Sequence, residues 1–161
     1  MSQGTEEVDT RAVLSRLFEI LAGGDLAALD EVMQPDYEQY IPQSGERVAG
    51  LADYRSIIEN YPERQGRSVL TPQGEFHIAG HGPHYVMTPT FNLVKVTGDG
   101  DELTSYVKAV YPDGSEWFIV NFVTFREGKI ARSIDFFAPV FEPPAWRSQW
   151  VRGDPAGRDN V

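Results

Sequence analysis

Apolar residues at Val13, Leu14, Leu17, Phe18 and Leu21 recur three and four positions apart, the spacing that lines one face of an α-helix. Asp9 or Thr10 stands where an N-cap belongs, and Gly23-Gly24 closes the helix because glycine accepts the left-handed C-terminal conformation. Asp25 caps a second, shorter helix carrying Leu26, Leu29, Val32 and Met33, which Pro35 ends. Tyr37 to Ile41 reads as extended. A third helix is predicted from Leu51 to about Asn60, with Leu51, Tyr54, Ile58 and Tyr61 on one face and Pro62 after it.

Beyond Pro62 the pattern changes from helical periods to β-branched and aromatic runs. Strands are expected over Val69 to Ile78, His84 to Val96, Leu103 to Tyr111, Ser115 to Phe125 and Lys129 to Ala138. Turn signals separate them: Gly80 to Pro83, Gly98 to Gly100, Pro112-Asp113-Gly114 and Glu127-Gly128. Helices followed by hairpin-linked strands give an α+β fold with helices on one face of an antiparallel sheet. One domain is expected over residues 10–151, between flexible ends at 1–9 and 152–161, with Trp146 and Trp150 docked on its body.

The last two turns fix a register. A two-residue turn at Glu127-Gly128 would hold Glu127 at positive φ, so a three-residue loop pairing Phe125 with Lys129 is favoured. Counting outward, Asp135 then faces Ile119, Ser133 faces Asn121 and Phe137 faces Trp117. Proline suits the first position of the preceding turn, which pairs Tyr111 with Ser115, Trp117 with Ala109 and Asn121 with Ser105. One sheet face thereby gathers Ser105, Val107, Ala109, Trp117, Ile119, Asn121, Ser133, Asp135 and Phe137, a mixture suited to a pocket wall. The other gathers Tyr106, Lys108, Phe118, Val120, Phe122, Ile130, Ile134 and Phe136, suited to packing or to a dimer interface.

Composition narrows the functional classes. Acidic residues outnumber basic ones 24 to 14, a net charge of −10 that disfavours nucleic acid and anionic membranes as partners. No apolar run approaches the roughly 18 residues of a spanning helix, and the polar, acidic N-terminus lacks the pattern of a secretory signal. The chain has no cysteine, hence no thiolate metal site and no cysteine nucleophile. A cytoplasmic location is the default expectation.

Among chemically capable groups, Asp135 stands out. Beside Trp117 and Phe137 its charged form would be disfavoured by desolvation, raising its pKa as an enolising base or proton shuttle requires. Asn121 and Ser133 are placed to hydrogen-bond it or a substrate oxygen. Tyr37 and Tyr40 are read as sharing a face at the cavity mouth. Val107, Trp117 and Phe137 are expected to wall the cavity, and His84 to reach it as an acid–base partner. His77, His81 and His84 have the spacing of metal ligands only on a helix, which Gly80, Gly82 and Pro83 exclude, so no metal is expected. With no phosphate-binding or dinucleotide motif visible, cofactor-free chemistry is the natural reading.

Three segments carry a family resemblance: Gly24-Asp25-Leu26-Ala27-Ala28-Leu29, then Gly50 with Tyr54-Arg55, then Phe125-Arg126-Glu127-Gly128-Lys129-Ile130 leading to Asp135. In order and spacing they resemble the nuclear transport factor 2-like superfamily, and the stretch from Tyr111 to Phe141 resembles its SnoaL-like polyketide cyclases and phenazine biosynthesis A/B proteins. The resemblance implies a cone-shaped, cystatin-like α+β barrel with a ligand pocket, usually homodimeric. It also implies that Asp135 occupies the acid–base position of the cyclases. The expected function is then a cofactor-independent acid–base enzyme of secondary-metabolite biosynthesis, antibiotic biosynthesis included. It would act on a carbonyl-containing small molecule by cyclisation, condensation, isomerisation or dehydration. The alternative is a binding or dimerisation module of the same fold. Ile41 stands where ketosteroid isomerases carry their base, and the strand from Leu103 to Tyr111 lacks the Arg-x-Asp pair of epoxide hydrolases. Both chemistries are therefore disfavoured.

Overall fold

The structure is a computed structural model that describes residues 8–60, 69–71, 74–76, 90–110 and 115–153. Helix α1 (Thr10–Gly23) starts where the Asp9 carboxylate accepts the Arg11 and Ala12 amides and ends at Gly24, whose φ is 71°. A 3-10 turn (Leu26–Ala28) leads into the single turn α2 (Leu29–Val32). Strand β1 (Met33–Ile41) begins at once. The second helix is thus shorter than its apolar spacing suggests. Pro35 does not end it but lies inside the strand. Strand β2 (Glu46–Ala49), which the pattern does not predict, pairs with β1 and precedes α3 (Leu51–Glu59).

Where one strand is expected from Val69, two short ones, β3 (Val69–Thr71) and β4 (Gly74–Phe76), pair antiparallel. Strands β5 (Thr90–Asp99), β6 (Glu102–Val110), β7 (Glu116–Arg126) and β8 (Lys129–Pro139) form an antiparallel meander. The main sheet runs β2-β1-β8-β7-β6-β5. It is mixed: β1 lies parallel to β8, between the last strand and β2. Among the described residues no helix is long and apolar enough to cross a membrane.

The helices cover one face of this sheet. Leu14, Leu17 and Ile20 of α1 pack with Leu29, Met33, Leu103, Val123, Phe125 and Ile130 in the main core. Polar ties fix the start of α1 over the turn between β5 and β6. Thr10 Oγ1 donates to the Gly100 carbonyl at 2.8 Å, and the Arg11 guanidinium donates to the carbonyls of Val96 (3.1 Å) and Gly98 (2.7 Å). Helix α3 is held against β1 by the Gly50 amide, which donates to the Tyr37 carbonyl at 2.7 Å.

The β7–β8 hairpin departs from the expected register. Arg126 pairs with Lys129 across a two-residue loop, with Glu127 at φ 51° and Gly128 at φ 74°. Its match to the right-handed strand twist outweighs the cost of positive φ at Glu127. Ala131 is then an extra residue, because Phe125 pairs with Ile130 and Thr124 with Arg132. The shorter loop and the bulge each move the register by one, so Asp135 faces Asn121, Ser133 faces Val123 and Phe137 faces Ile119. A shift of two keeps side chains on their faces, so the division of the sheet survives although the partners change. Ile130 is the exception. Lying between loop and bulge it has moved by only one, and it is buried in the core rather than on the outer face.

The turn suggests a simple stabilisation. Asparagine tolerates the left-handed region where glutamate is strained, so Glu127→Asn is expected to add about 1 kcal/mol, read by urea denaturation. An unchanged midpoint would mean that the turn holds no such strain.

The C-terminal segment differs from expectation. After β8 it forms a 3-10 turn (Ala145–Arg147), with Trp146 73% and Trp150 71% exposed. Neither indole docks on the domain.

Candidate active site

Strand alternation aims every second side chain of β8 at the helix-covered face. There Ser133 and Asp135 are both buried, Asp135 at 4% exposure. On one side lies β7, whose Asn121 donates through Nδ2 to Asp135 Oδ1 at 2.8 Å. Asn121 Oδ1 in turn accepts the Ser105 hydroxyl of β6 at 2.9 Å, which fixes the orientation of that amide. On the other side lies β1. Its Gln39 donates through Nε2 to Asp135 Oδ2 at 2.5 Å, and Ser133 Oγ donates to the same oxygen at 3.0 Å. Tyr37 Oη lies 2.6 Å from Ser133 Oγ. Since the serine's one hydrogen goes to the carboxylate, the tyrosine is the donor in that pair.

Four strands thus converge on one carboxylate, and each hydrogen bond points toward it. Helix α3 completes the arrangement with Tyr54, whose ring meets that of Tyr37 edge-on at 5.3 Å between centroids. Burial raises the pKa of Asp135 above the ordinary carboxylate value, and the hydrogen bonds from Asn121, Gln39 and Ser133 oppose that rise without cancelling it. Tyr37 and Tyr54 are pushed upward, first by burial and further by the nearby Asp135 charge, so both stay protonated. None of the ion pairs among the described residues includes Asp135.

Past Phe137 the inner face becomes apolar. Val107, Ala109 and Ile119 are buried, and Phe18, Leu93, Trp117 and Phe137 pack on them while remaining only partly buried. Asp135 therefore stands between the main core and a second apolar cluster whose flanking side chains are only partly buried. Trp117 pairs with Pro139, two steps along the ladder, so it lines that cluster rather than touching the carboxylate as its expected pairing implies.

Of the residues singled out from sequence, the structure brings together Asp135, Asn121, Ser133 and Tyr37, with Val107, Phe137 and Trp117 farther along the same face. Tyr40 is not among them. It is three residues from Tyr37, an odd number, and so lies on the outer face, where Arg47 stacks on its ring at 5.2 Å. Gln39 takes the place assigned to Tyr40. Strict alternation from Tyr37 would have found it. Tyr54 and Ser105 complete the network. His84, with His77 and His81, lies outside the described residues. Lys108 is on the outer side, 3.4 Å from Glu116.

Among comparisons with known proteins, a family model described as SnoaL-like domain matches residues 14–133. No curated protein matches. Among solved structures, an NTF-2 like protein of unknown function from Burkholderia xenovorans is 26% identical, with a TM-score of 0.66 over 94% of this chain and 99% of its own. A putative ketosteroid isomerase from Kribbella flavida is 22% identical, also at 0.66, over 91% of this chain and 90% of its own. A putative SnoaL-like polyketide cyclase from Jannaschia is 14% identical, at 0.52, over 85% and 90%. The last two share the fold.

Proposed function

The chain belongs to the SnoaL-like domain family, and from that premise we propose that it is a cofactor-independent acid–base enzyme of small-molecule biosynthesis, acting in the cytoplasm, with Asp135 as the proton-moving group. The observation that carries this reading is the buried Asp135 carboxylate, which four neighbouring strands surround with oriented donors. A carboxyl group with a raised pKa takes a proton from carbon or oxygen near neutral pH and returns it to the product. The substrate is a partly apolar carbonyl compound. Its body rests on Val107, Ile119 and Phe137, and its acidic hydrogen meets Asp135. Cyclisation, condensation, isomerisation and dehydration share this step. Asn121 and Gln39 each use one amide hydrogen on Asp135 and keep a second, a donor type suited to an enolate oxygen. The test is mass spectrometry of metabolite mixtures incubated with the wild type and with Asp135→Asn. Compounds consumed by both proteins alike would remove Asp135 from the chemistry.

The working unit is proposed to be a homodimer formed through the outer face of the sheet. There Tyr106 stacks on Phe118 at 5.4 Å, and Phe122 meets Phe136 edge-on at 6.1 Å, with Phe122 still 47% exposed. A contiguous aromatic patch of this kind is unusual on a monomer's surface. Phe122→Glu is expected to shift sedimentation from dimer to monomer. A wild type that sediments as a monomer would overturn the assignment.

A further inference from the structure

We propose that Gln39 is a positioning residue that restricts proton exchange at Asp135 to one oxygen, Oδ1. This rests on the reading of Asp135 as the acid–base group and specifies which of its atoms reacts. An ionised carboxylate offers roughly four lone-pair sites, two on each oxygen. Among the described residues Oδ2 accepts two hydrogen bonds, from Gln39 Nε2 at 2.5 Å and from Ser133 Oγ at 3.0 Å, whereas Oδ1 accepts one, from Asn121. Among the described residues, Oδ1 alone leaves a lone pair open to an incoming proton. At Oδ2 it would have to displace a donor.

Neither donor on Oδ2 is easily displaced. Gln39 sits on β1 directly beside Ser133 in the parallel ladder, so the strand pairing fixes its reach. Ser133 is kept pointing at Oδ2 because Tyr37 donates to it, and Tyr54 packs against Tyr37. The titratable groups facing Asp135 among the described residues are these two tyrosines, and both keep their protons through the neutral range. The substrate's C–H bond breaks, its proton forms a bond to Oδ1, and the electron pair stays on the substrate as an enolate. The same oxygen later returns the proton. Throughout, Oδ2 accepts from Gln39 and Ser133, so no donor has to reorient during turnover.

Neutron diffraction from deuterated crystals of the full chain, held below the Asp135 pKa, reads the proton's position directly. Deuterium on Oδ1 is expected, and deuterium on Oδ2 would overturn the proposal. A second measurement follows the Asp135 carboxyl by carbon-13 NMR titration. Gln39→Met keeps side-chain length but removes the donor, so Asp135 should titrate at higher pH than in the wild type. An unchanged titration would overturn the role of Gln39. Should Gln39→Met not fold, Gln39→Glu supplies the test. Two carboxyl groups in contact must titrate as a coupled pair, with one step well above the wild-type value. A single unshifted step would mean that residue 39 does not reach Asp135. If deuterium lies on Oδ1 but Asp135→Asn turns over normally, the assignment of the oxygen stands and the catalytic reading falls.

Discussion

Asp135→Asn is expected to lower turnover by about 10²–10⁴-fold, the usual contribution of a positioned acid–base group, while the protein stays folded. Loss of the carboxylate removes the acidic group of the hydrogen-bond network, the one whose pKa burial raises and to which the proposed proton transfer is assigned. Structural damage should be small for a reason visible in the network. The new amide can place its oxygen where Oδ2 was and still accept from Gln39 and Ser133. Its nitrogen then faces Asn121 Nδ2, donor against donor. A flip of the Asn121 amide relieves this, because Ser105 Oγ can accept as well as donate. Asp135→Ala has no such escape and leaves Gln39 and Asn121 without an acceptor, at about 1–3 kcal/mol for each buried group.

The same pair of proteins reports on the raised pKa. Unfolded, Asp135 titrates near its ordinary value of about 3.9, and folded it holds its proton to higher pH. The stability contributed by the neutral form is therefore complete below about pH 3.9 and lost as pH rises through the folded value. Where only the folded chain holds the proton, the loss runs at about 1.4 kcal/mol per pH unit. The amide in Asp135→Asn has no proton to lose, so the variant should gain on the wild type across that window in urea denaturation. The opposite trend, or normal turnover by the variant, would contradict the proposed role.

How far the site can be read from the chain depends on which contacts are local. Ser105, Asn121 and Asp135 lie on consecutive hairpin strands, and turn chemistry with period-two alternation places them on one face. The pairing of β1 with β8 has no such signature. It is parallel, it joins segments more than 90 residues apart, and no turn connects them. That non-local pairing brings Gln39 and Tyr37 to the carboxylate, so the sequence points to Asp135 without the donor that lies at the shortest distance from it. Tyr40 is misplaced for a different reason. Its aromatic character suggests a pocket role, but alternation governs which way a strand residue points. At the last hairpin, two one-residue shifts in the same direction escape the sequence pattern, one from the loop length and one from the Ala131 bulge. Their sum is even, so Asp135 keeps its face.

Ile130 is the residue on which those two shifts do not combine, and it gives the sharpest test of the register. With Phe125 paired to Lys129 it would point outward with Ile134 and Phe136, and truncation would cost little. In the structure it is 1% exposed. It pairs with Phe125 of β7 and with Met33 of β1, and shares their core with Leu14 and Leu17. Ile130→Ala is therefore expected to destabilise the fold by about 2–5 kcal/mol, and Ile130→Val by about 0.5–1.5 kcal/mol. A loss below about 1 kcal/mol for the alanine variant would place the side chain on the open face and restore the three-residue loop. The functional consequence is separable from the structural one. Ile130 is not among the groups bonded to Asp135, so the valine variant, assayed well below its melting temperature, should keep wild-type turnover. Should Ile130→Val lose activity while still folded, the ladder between Ile130 and Asp135 would not be the rigid support that the buried carboxylate requires.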